Sequence, residues 1–257
     1  MQLSFQSLQI IPIPLDKDVT KGDDIGRLIM DAIHETKVSM RDHDVLVVTQ
    51  KIVSKSEGRV LDLSTVKPSD RALELASKTN KDPRFVELVL TEARDLLRYS
   101  ENLIITETRH GFVCANSGVD QSNVSIHEEK FVSLLPLDPD LSAKRIRQTI
   151  YENSGVNIAV VVSDTFGRPF RLGQTNVAIG VSGMDPIKSY IGLADMYGNI
   201  LRITEIAVAD ELASAAELVM GKTERVPIAV VRGYEYSPTE TGNAKSLVRD
   251  RIYDLFR

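Results

Sequence analysis

The 257-residue chain holds a single cysteine, Cys114, and only 4 histidines. One cysteine excludes an internal disulfide, a cysteine-based zinc cluster and an iron–sulfur site. So few histidines leave any metal site to oxygen ligands, which suit magnesium or manganese better than zinc. Positive charge is also short: 31 Lys+Arg face 36 Asp+Glu, for a formal charge of −5. That balance argues against a generic nucleic-acid or membrane-surface binder, since phosphate backbones and anionic lipids attract a basic excess. No apolar run approaches the roughly 18 residues of a membrane span. The start, MQLSFQSLQIIPIPLDKD, has neither the basic region nor the cleavage signal of a secretory leader. The expectation is a cytoplasmic protein, for which the sequon Asn123-Val124-Ser125 carries no glycan.

Repeats, low-complexity tracts and long Pro/Gly/Ser linkers are missing too, so 257 residues form one large domain or two smaller ones. What remains is an ordinary globular composition, 42% hydrophobic and 26% charged, with helical and strand patterns mixed along its length. Ile25, Leu28, Ile29, Ala32 and Ile33 share one helical face behind Asp23-Asp24 as a cap. A buried strand at Asp44–Thr49 ends in a polar stretch, Gln50–Arg59. Helices are expected over about 69–79 and 83–98, the second opened by Asp82-Pro83. Two strands, Asn102–Thr108 and Phe112–Asn116, flank a turn at Arg109-His110-Gly111. A helix over about 139–153 precedes the most apolar strand, Asn157–Val162, and a further strand follows at about 175–182. The rest reads as a helix over about 204–220, a strand at Val226–Val231 and a C-terminal helix over about 243–256. Several neighbouring strands look like hairpins rather than βαβ crossovers, which makes the class α+β with mixed sheets.

Three clusters of residues suit chemistry. Asp164-Thr165 closes the apolar strand, where a rigid scaffold presents a carboxylate and a hydroxyl to a hard cation. Arg168 and Arg171 follow within one loop stiffened by Pro169, and two guanidinium forks suit a polyanionic substrate. The alternative is that Asp164 only caps a turn. Asn116–Asn123 is a loop dense in oxygen donors, with Asp120 as a second carboxylate ligand and Asn123 as a nucleotide contact, unless it is polar for solvation alone. Lys51 and Lys55 are point charges for phosphates.

Other chemistries lack their motifs. Gly221-Lys222-Thr223 imitates the end of a phosphate-binding P-loop, but Ala216 stands where the leading glycine is required, and a helix precedes the segment instead of following it. There is no G-x-G-x-x-G, no G-x-S-x-G and no H-E-x-x-H. Histidines 34, 43, 110 and 127 read as surface residues rather than ligands.

Val161–Arg171 with Asn176–Gly183 closely resembles the coenzyme F-420-0:L-glutamate ligase family. Ile52–Arg59, Val113–Asn123, Leu135–Asp140 and Val230–Gly233 match it in order, from about residue 11 to 233. The resemblance implies a gamma-glutamyl ligase-type fold, a GTP-dependent amide ligase, two magnesium or manganese ions per site, an assisting potassium ion and an intertwined homodimer. Its small-molecule partners would be GTP, L-glutamate and coenzyme F-420-0. The family's metal contacts fall on Asp120, Asp164 and Thr165. Its nucleotide contacts fall on Gln50, Lys51, Lys55 and Asn123, on the segment Met220-Gly221-Lys222-Thr223, and near Ile11-Pro12-Ile13-Pro14. The family carries an acidic or amide metal contact just after its Met-Gly. Lys222 occupies that place here, leaving Glu224 as a candidate ligand. Some relatives carry a C-terminal reductase domain, and none is expected in 1–257. Other acceptors, such as a folate-type chain, and a non-catalytic nucleotide-binding module are the competing readings.

Overall fold

A computed structural model of the chain describes residues 7–124 and 130–255. In chain order its elements are β1 (Gln9–Ile13), α1 (Ile25–Glu35), β2 (Val45–Thr49), α2 (Gln50–Ser56), β3 (Val60–Asp62), α3 (Asp70–Thr79), α4 (Pro83–Glu92), β4 (Ala93–Ser100), β5 (Leu103–Thr108) and β6 (Val113–Ala115). There follow β7 (Phe131–Ser133), α5 (Pro139–Ser154), β8 (Ala159–Arg168), β9 (Arg171–Met184), β10 (Lys188–Ser189), β11 (Glu205–Ile206), α6 (Val208–Met220), β12 (Ile228–Arg232) and β13 (Pro238–Thr239).

The central sheet runs β1-β12-β2-β8-β9-β13, and within it β2 and β8 are parallel while the other pairs are antiparallel. Side chains alternate between its faces, as strand geometry requires. Leu46, Val48, Val160, Val162 and Val230 face α1, α2 and α5. Val45, Val47, Ala159, Val161 and Val231 face α6. Both faces are covered, which is why these strands are almost uninterrupted runs of valine and isoleucine. A second core joins α3 and α4 to Ile104, Val119, Val132 and Leu134, beside the small sheets β4-β5-β6 and β3-β7. This unit is inserted in the long crossover between the parallel strands β2 and β8.

The α+β class with mixed sheets holds, and the expected caps Asp24 and Asp82 each accept a backbone N–H of the first turn, as do Ser69 and Asp138 at the starts of α3 and α5. Five expectations need correction. Gln50–Ser56 is not an irregular polar stretch but α2, which leaves β2 directly through Thr49. The helix expected over 83–98 stops at Glu92, and Ala93–Ser100 pairs with β5 instead. Glu92 is buried, its two carboxylate oxygens taking Arg59 at 2.7 Å and Arg109 at 2.8 Å, so the chain turns there. The segment 163–171 is not a loop: β8 and β9 continue as a hairpin to a Arg168↔Arg171 pair. The helix expected from 204 begins at Val208. The C-terminal helix over 243–256 is replaced, among the described residues, by two short 3-10 turns, Ala244–Leu247 and Arg251–Tyr253. Arg251 is held by Asp95 and Glu107, which ties this segment to the β4–β5 sheet.

His34 and His43 are exposed as expected, whereas His110 is half-buried with Nε2 at 3.1 Å from the Leu137 carbonyl. Ser125 and His127 lie outside the described residues. Among the described residues no helix is long and apolar enough to cross a membrane.

Candidate active site

The carboxyl ends of β2 and β8 lie side by side, with Thr49 opposite Ser163. In open sheets this edge is where ligands gather, because the loops leaving it diverge. Lys51 emerges here on the first turn of α2, and Asp164 and Thr165 emerge on β8 just past the parallel register. Asp120 reaches the same place from the other core. It follows the 3-10 turn Asn116–Gly118 and pairs with Ser133 of β7 through two backbone hydrogen bonds of 3.0 and 2.8 Å. Asn116 and Ser117 both have left-handed φ, at 53° and 55°. Such angles cost non-glycine residues and persist where the surroundings fix them.

Lys51 Nζ donates to Asp120 Oδ2 at 2.6 Å and to Ser133 Oγ at 2.9 Å. Ser122 donates its backbone N–H to Asp120 Oδ1 and its hydroxyl to Oδ2. Burial pushes the Asp120 carboxyl up, but the Lys51 ammonium and the Ser122 donors outweigh it and hold it below the ordinary carboxylate range. Asp164 behaves in the opposite way. Burial first, and then the neighbouring Asp120 charge, push it up to about 6 against the pull of the Thr165 N–H, Lys51 and Lys222. Two carboxylates and two ammonium groups thus meet at one sheet edge, each shifting the others' charge state.

On β8 and β9, Thr165 faces Asn176 in register, and its hydroxyl donates to Asn176 Oδ1 at 2.7 Å. Asn176 is buried, and its backbone carbonyl accepts the Ser214 hydroxyl of α6. Lys222 arrives from the end of α6, with Nζ at 2.6 Å from Thr165 Oγ1. Its carbonyl accepts Asn123 Nδ2 at 3.2 Å, which joins the two flanking segments across the site.

Lys55 lies one turn beyond Lys51 on α2. Burial lowers its pKa, Asp18 works against that, and Lys51 and Arg225 add to it. Ile11, Pro12 and Ile13 belong to β1 along β12, with proline tolerated on this edge strand. Pro14 leads to Leu15, whose N–H donates to the Arg225 carbonyl, so this segment ends beside Arg225, Asp18 and Lys55.

The structure thus brings together Lys51, Asp120, Asn123, Asp164, Thr165 and Lys222. It sets other candidates apart. Gln50 is 1% exposed and its Oε1 accepts Ser54 Oγ, so its side chain serves the interior of α2. Met220 is buried against the sheet, and Gly221 makes the left-handed turn after α6 with φ 58°. The Glu224 carboxylate folds back on Thr223, accepting both its N–H and its hydroxyl. Arg168 and Arg171 are not in a loop beside Asp164. They close the hairpin up to about 13 Å along the strand at 3.3 Å per residue, where Arg168 Nη2 donates to the Leu172 carbonyl.

Asn176 and Ser133 escaped the sequence reading. Asn176 opens the family-like stretch Asn176–Gly183, but only cross-strand register shows what it and Ser133 touch. Among the described residues no three His, Cys, Asp or Glu side chains converge as a ligand cluster. Two carboxylates with neutral hydroxyl and amide oxygens are nevertheless a hard donor set, of the kind a magnesium or manganese ion takes when water and substrate phosphates complete its shell.

The sequence model of the F420-0:Gamma-glutamyl ligase family matches residues 16–233. The chain is 46% identical over 241 residues to the coenzyme F420:L-glutamate ligase of Methanothermobacter thermautotrophicus, covering 93% of this chain and 94% of that protein. To the protein of the same name from Methanopyrus kandleri it is 42% identical over 255 residues, 98% of each chain. The Methanosarcina mazei protein of that name is 37% identical over 99% of this chain and 96% of its own.

Proposed function

Because the chain belongs to the F420-0:gamma-glutamyl ligase family, we propose that it joins L-glutamate through its amine to the carboxylate of coenzyme F-420-0, consuming GTP and releasing GDP and phosphate. A free carboxylate does not form an amide unaided at neutral pH, so it must first be activated. The acceptor carboxylate oxygen attacks the γ-phosphorus of GTP, the bond from that phosphorus to the β–γ bridging oxygen breaks, and GDP leaves. The glutamate amine then attacks the acyl carbon of the acyl phosphate, the carbon–oxygen bond to phosphate breaks, and the amine's surplus proton passes to solvent.

The residues divide this work by charge. Lys51 and Lys55 grip phosphates as point charges on one helix face. The segment Ile11–Pro14 and Asn123 border the nucleotide, and Met220–Thr223 closes over it. Asp120 and Asp164, with the Thr165 hydroxyl beside them, would hold divalent metal, which would neutralise triphosphate charge during the in-line transfer. A chain of net −5 cannot draw three anionic substrates by its overall field, so it concentrates cations locally. The single observation that carries the reading is the meeting of Lys51, Asp120, Asp164 and Lys222 at one sheet edge, from four separate stretches of chain.

The proposal includes a homodimer working in the cytosol. Phe170 and Leu172 at the hairpin end are 90% and 98% exposed. A second copy would cover them and bring Arg168 and Arg171 toward substrate carboxylates.

The test is phosphate release from GTP with L-glutamate and manganese, with and without coenzyme F-420-0, the product being weighed by mass spectrometry. A gain of one or more glutamyl units that needs every component supports the ligase. Phosphate release only with another carboxylate keeps the chemistry and removes the named acceptor. GTP binding without phosphate release under any condition overturns the proposal in favour of a regulatory module.

A further inference from the structure

Lys222 makes contacts unusual for a surface lysine. Its side chain is half exposed, and such an ammonium normally stays hydrated or pairs with a carboxylate. Here, among the described residues, the nearest carboxylate, Glu217, is 3.9 Å away, while Nζ sits 2.6 Å from Thr165 Oγ1 and 3.5 Å from Asn176 Oδ1. Both of those oxygens are neutral.

They are also prepared for a cation. Thr165 spends its hydroxyl proton on Asn176, which leaves its lone pairs for a positive partner. Asn176 is fixed from behind, since Ser214 donates to its carbonyl and pairs with Thr175 at 2.8 Å. The Lys222 backbone is held as firmly, by Asn123 on its carbonyl and by the Gly221 turn, whose N–H returns to Glu217 O at 3.0 Å. The Asp164 charge, within electrostatic reach of Lys222, supplies the attraction that the neutral oxygens lack.

We infer that the Lys222 ammonium is a built-in cation on the Thr165–Asn176 side of the site. The chain therefore takes one divalent ion fewer than a site whose equivalent residue is acidic or neutral. While Nζ keeps this contact, an ion ligated by Thr165 Oγ1, about 2.1 Å from that oxygen, would lie close beside the ammonium. Two positive centres so close would repel strongly. The remaining divalent ion belongs to Asp120 and Asp164. Only the purpose of these cations rests on the ligase reading; their number does not.

The test counts Mn2+ per folded chain by the electron paramagnetic resonance signal of the free ion, with the protein alone and with saturating GDP. Wild type is compared with Lys222→Gln, Lys222→Glu and the double variant Lys222→Gln/Thr165→Val, with circular dichroism checking the fold of each. The single variants should bind one more Mn2+ per chain than wild type, more tightly in Lys222→Glu, and the double variant should lose the added ion. Equal counts in wild type and Lys222→Gln, whatever their value, overturn the inference. An added ion that survives Thr165→Val overturns its location. No acceptor or glutamate is present, so a failure of glutamyl transfer would sink the ligase proposal while leaving this count to stand or fall by itself.

Discussion

Lys51 and Asp120, 69 residues apart in the chain, meet at 2.6 Å and tie the central sheet to the second core at the point where Ser133 completes the contact. Under the proposed function one member serves phosphate and the other metal, so breaking the pair should disable the site without unfolding the chain. Lys51→Met keeps the side-chain volume and removes the charge. Turnover with GTP, glutamate and coenzyme should fall by roughly 100–1,000-fold, the range for losing one preorganised electrostatic contact. Steady-state phosphate release beside a thermal melt would check this, and wild-type turnover in a folded variant would contradict it.

Asp164 is a sharper test. Asp164→Ala should abolish GTP-dependent ligation, by at least about 1,000-fold, while the far-ultraviolet spectrum stays native. Its carboxyl is raised by burial and by Asp120, so losing a charge there relieves repulsion and should not destabilise the fold. Retained turnover with unchanged metal dependence would remove Asp164 from the machinery.

Cys114, on β6, is buried, and burial followed by the nearby Asp164 charge pushes its thiol up to about 12. Since the thiolate is the reactive form, native protein at pH 8 should resist a thiol-specific disulfide reagent, and unfolded protein should release one equivalent. The stability linked to this group is complete below the unfolded value near 9. It is lost as pH rises from there toward 12, because only the unfolded chain ionises in that window. Denaturant midpoints at pH 8 and pH 10 for wild type and Cys114→Ala should show a steeper loss in wild type.

Gly180 on β9 lies so close to α5 that a Cβ would overlap the Pro139 carbonyl. Gly180→Ala should lower stability by about 1–3 kcal/mol, the usual cost of overpacking, measurable as a shifted urea midpoint. A neutral result would mean that α5 can slide on the sheet.

Much of the fold was legible because capping and periodicity are local. Asp24, Asp82-Pro83 and Asp138-Pro139 announce their helices without reference to anything distant. Where the reading failed, a remote partner decided the outcome. α4 ends at Glu92, whose carboxylate binds Arg59 and Arg109, and the residues after it pair with β5 instead of continuing the helix. α2 was hidden because seven residues, two of them site lysines, are too few for a clear period. The site divides along the same line. Asp120, Asp164, Thr165 and Lys51 stood out by charge or motif, whereas Ser133, and Asn176 within its family-like stretch, show their contacts only in the folded chain. Arg168 and Arg171 were misjudged because proline in an arginine-rich stretch suggested a loop, and the sheet carries on to the hairpin end instead.

The place of β12 has a consequence in time. It lies between β1 and β2, although nearly 180 residues separate it from β2 in the chain. As the chain leaves the ribosome, β1 has no neighbour to pair with until Ile228–Arg232 has emerged, and the valines of β2 wait with one edge open. Pairings that span so much sequence form slowly, and the waiting strands are sticky in the meantime. Shielding of the nascent first half is thus a requirement written into the order of the strands.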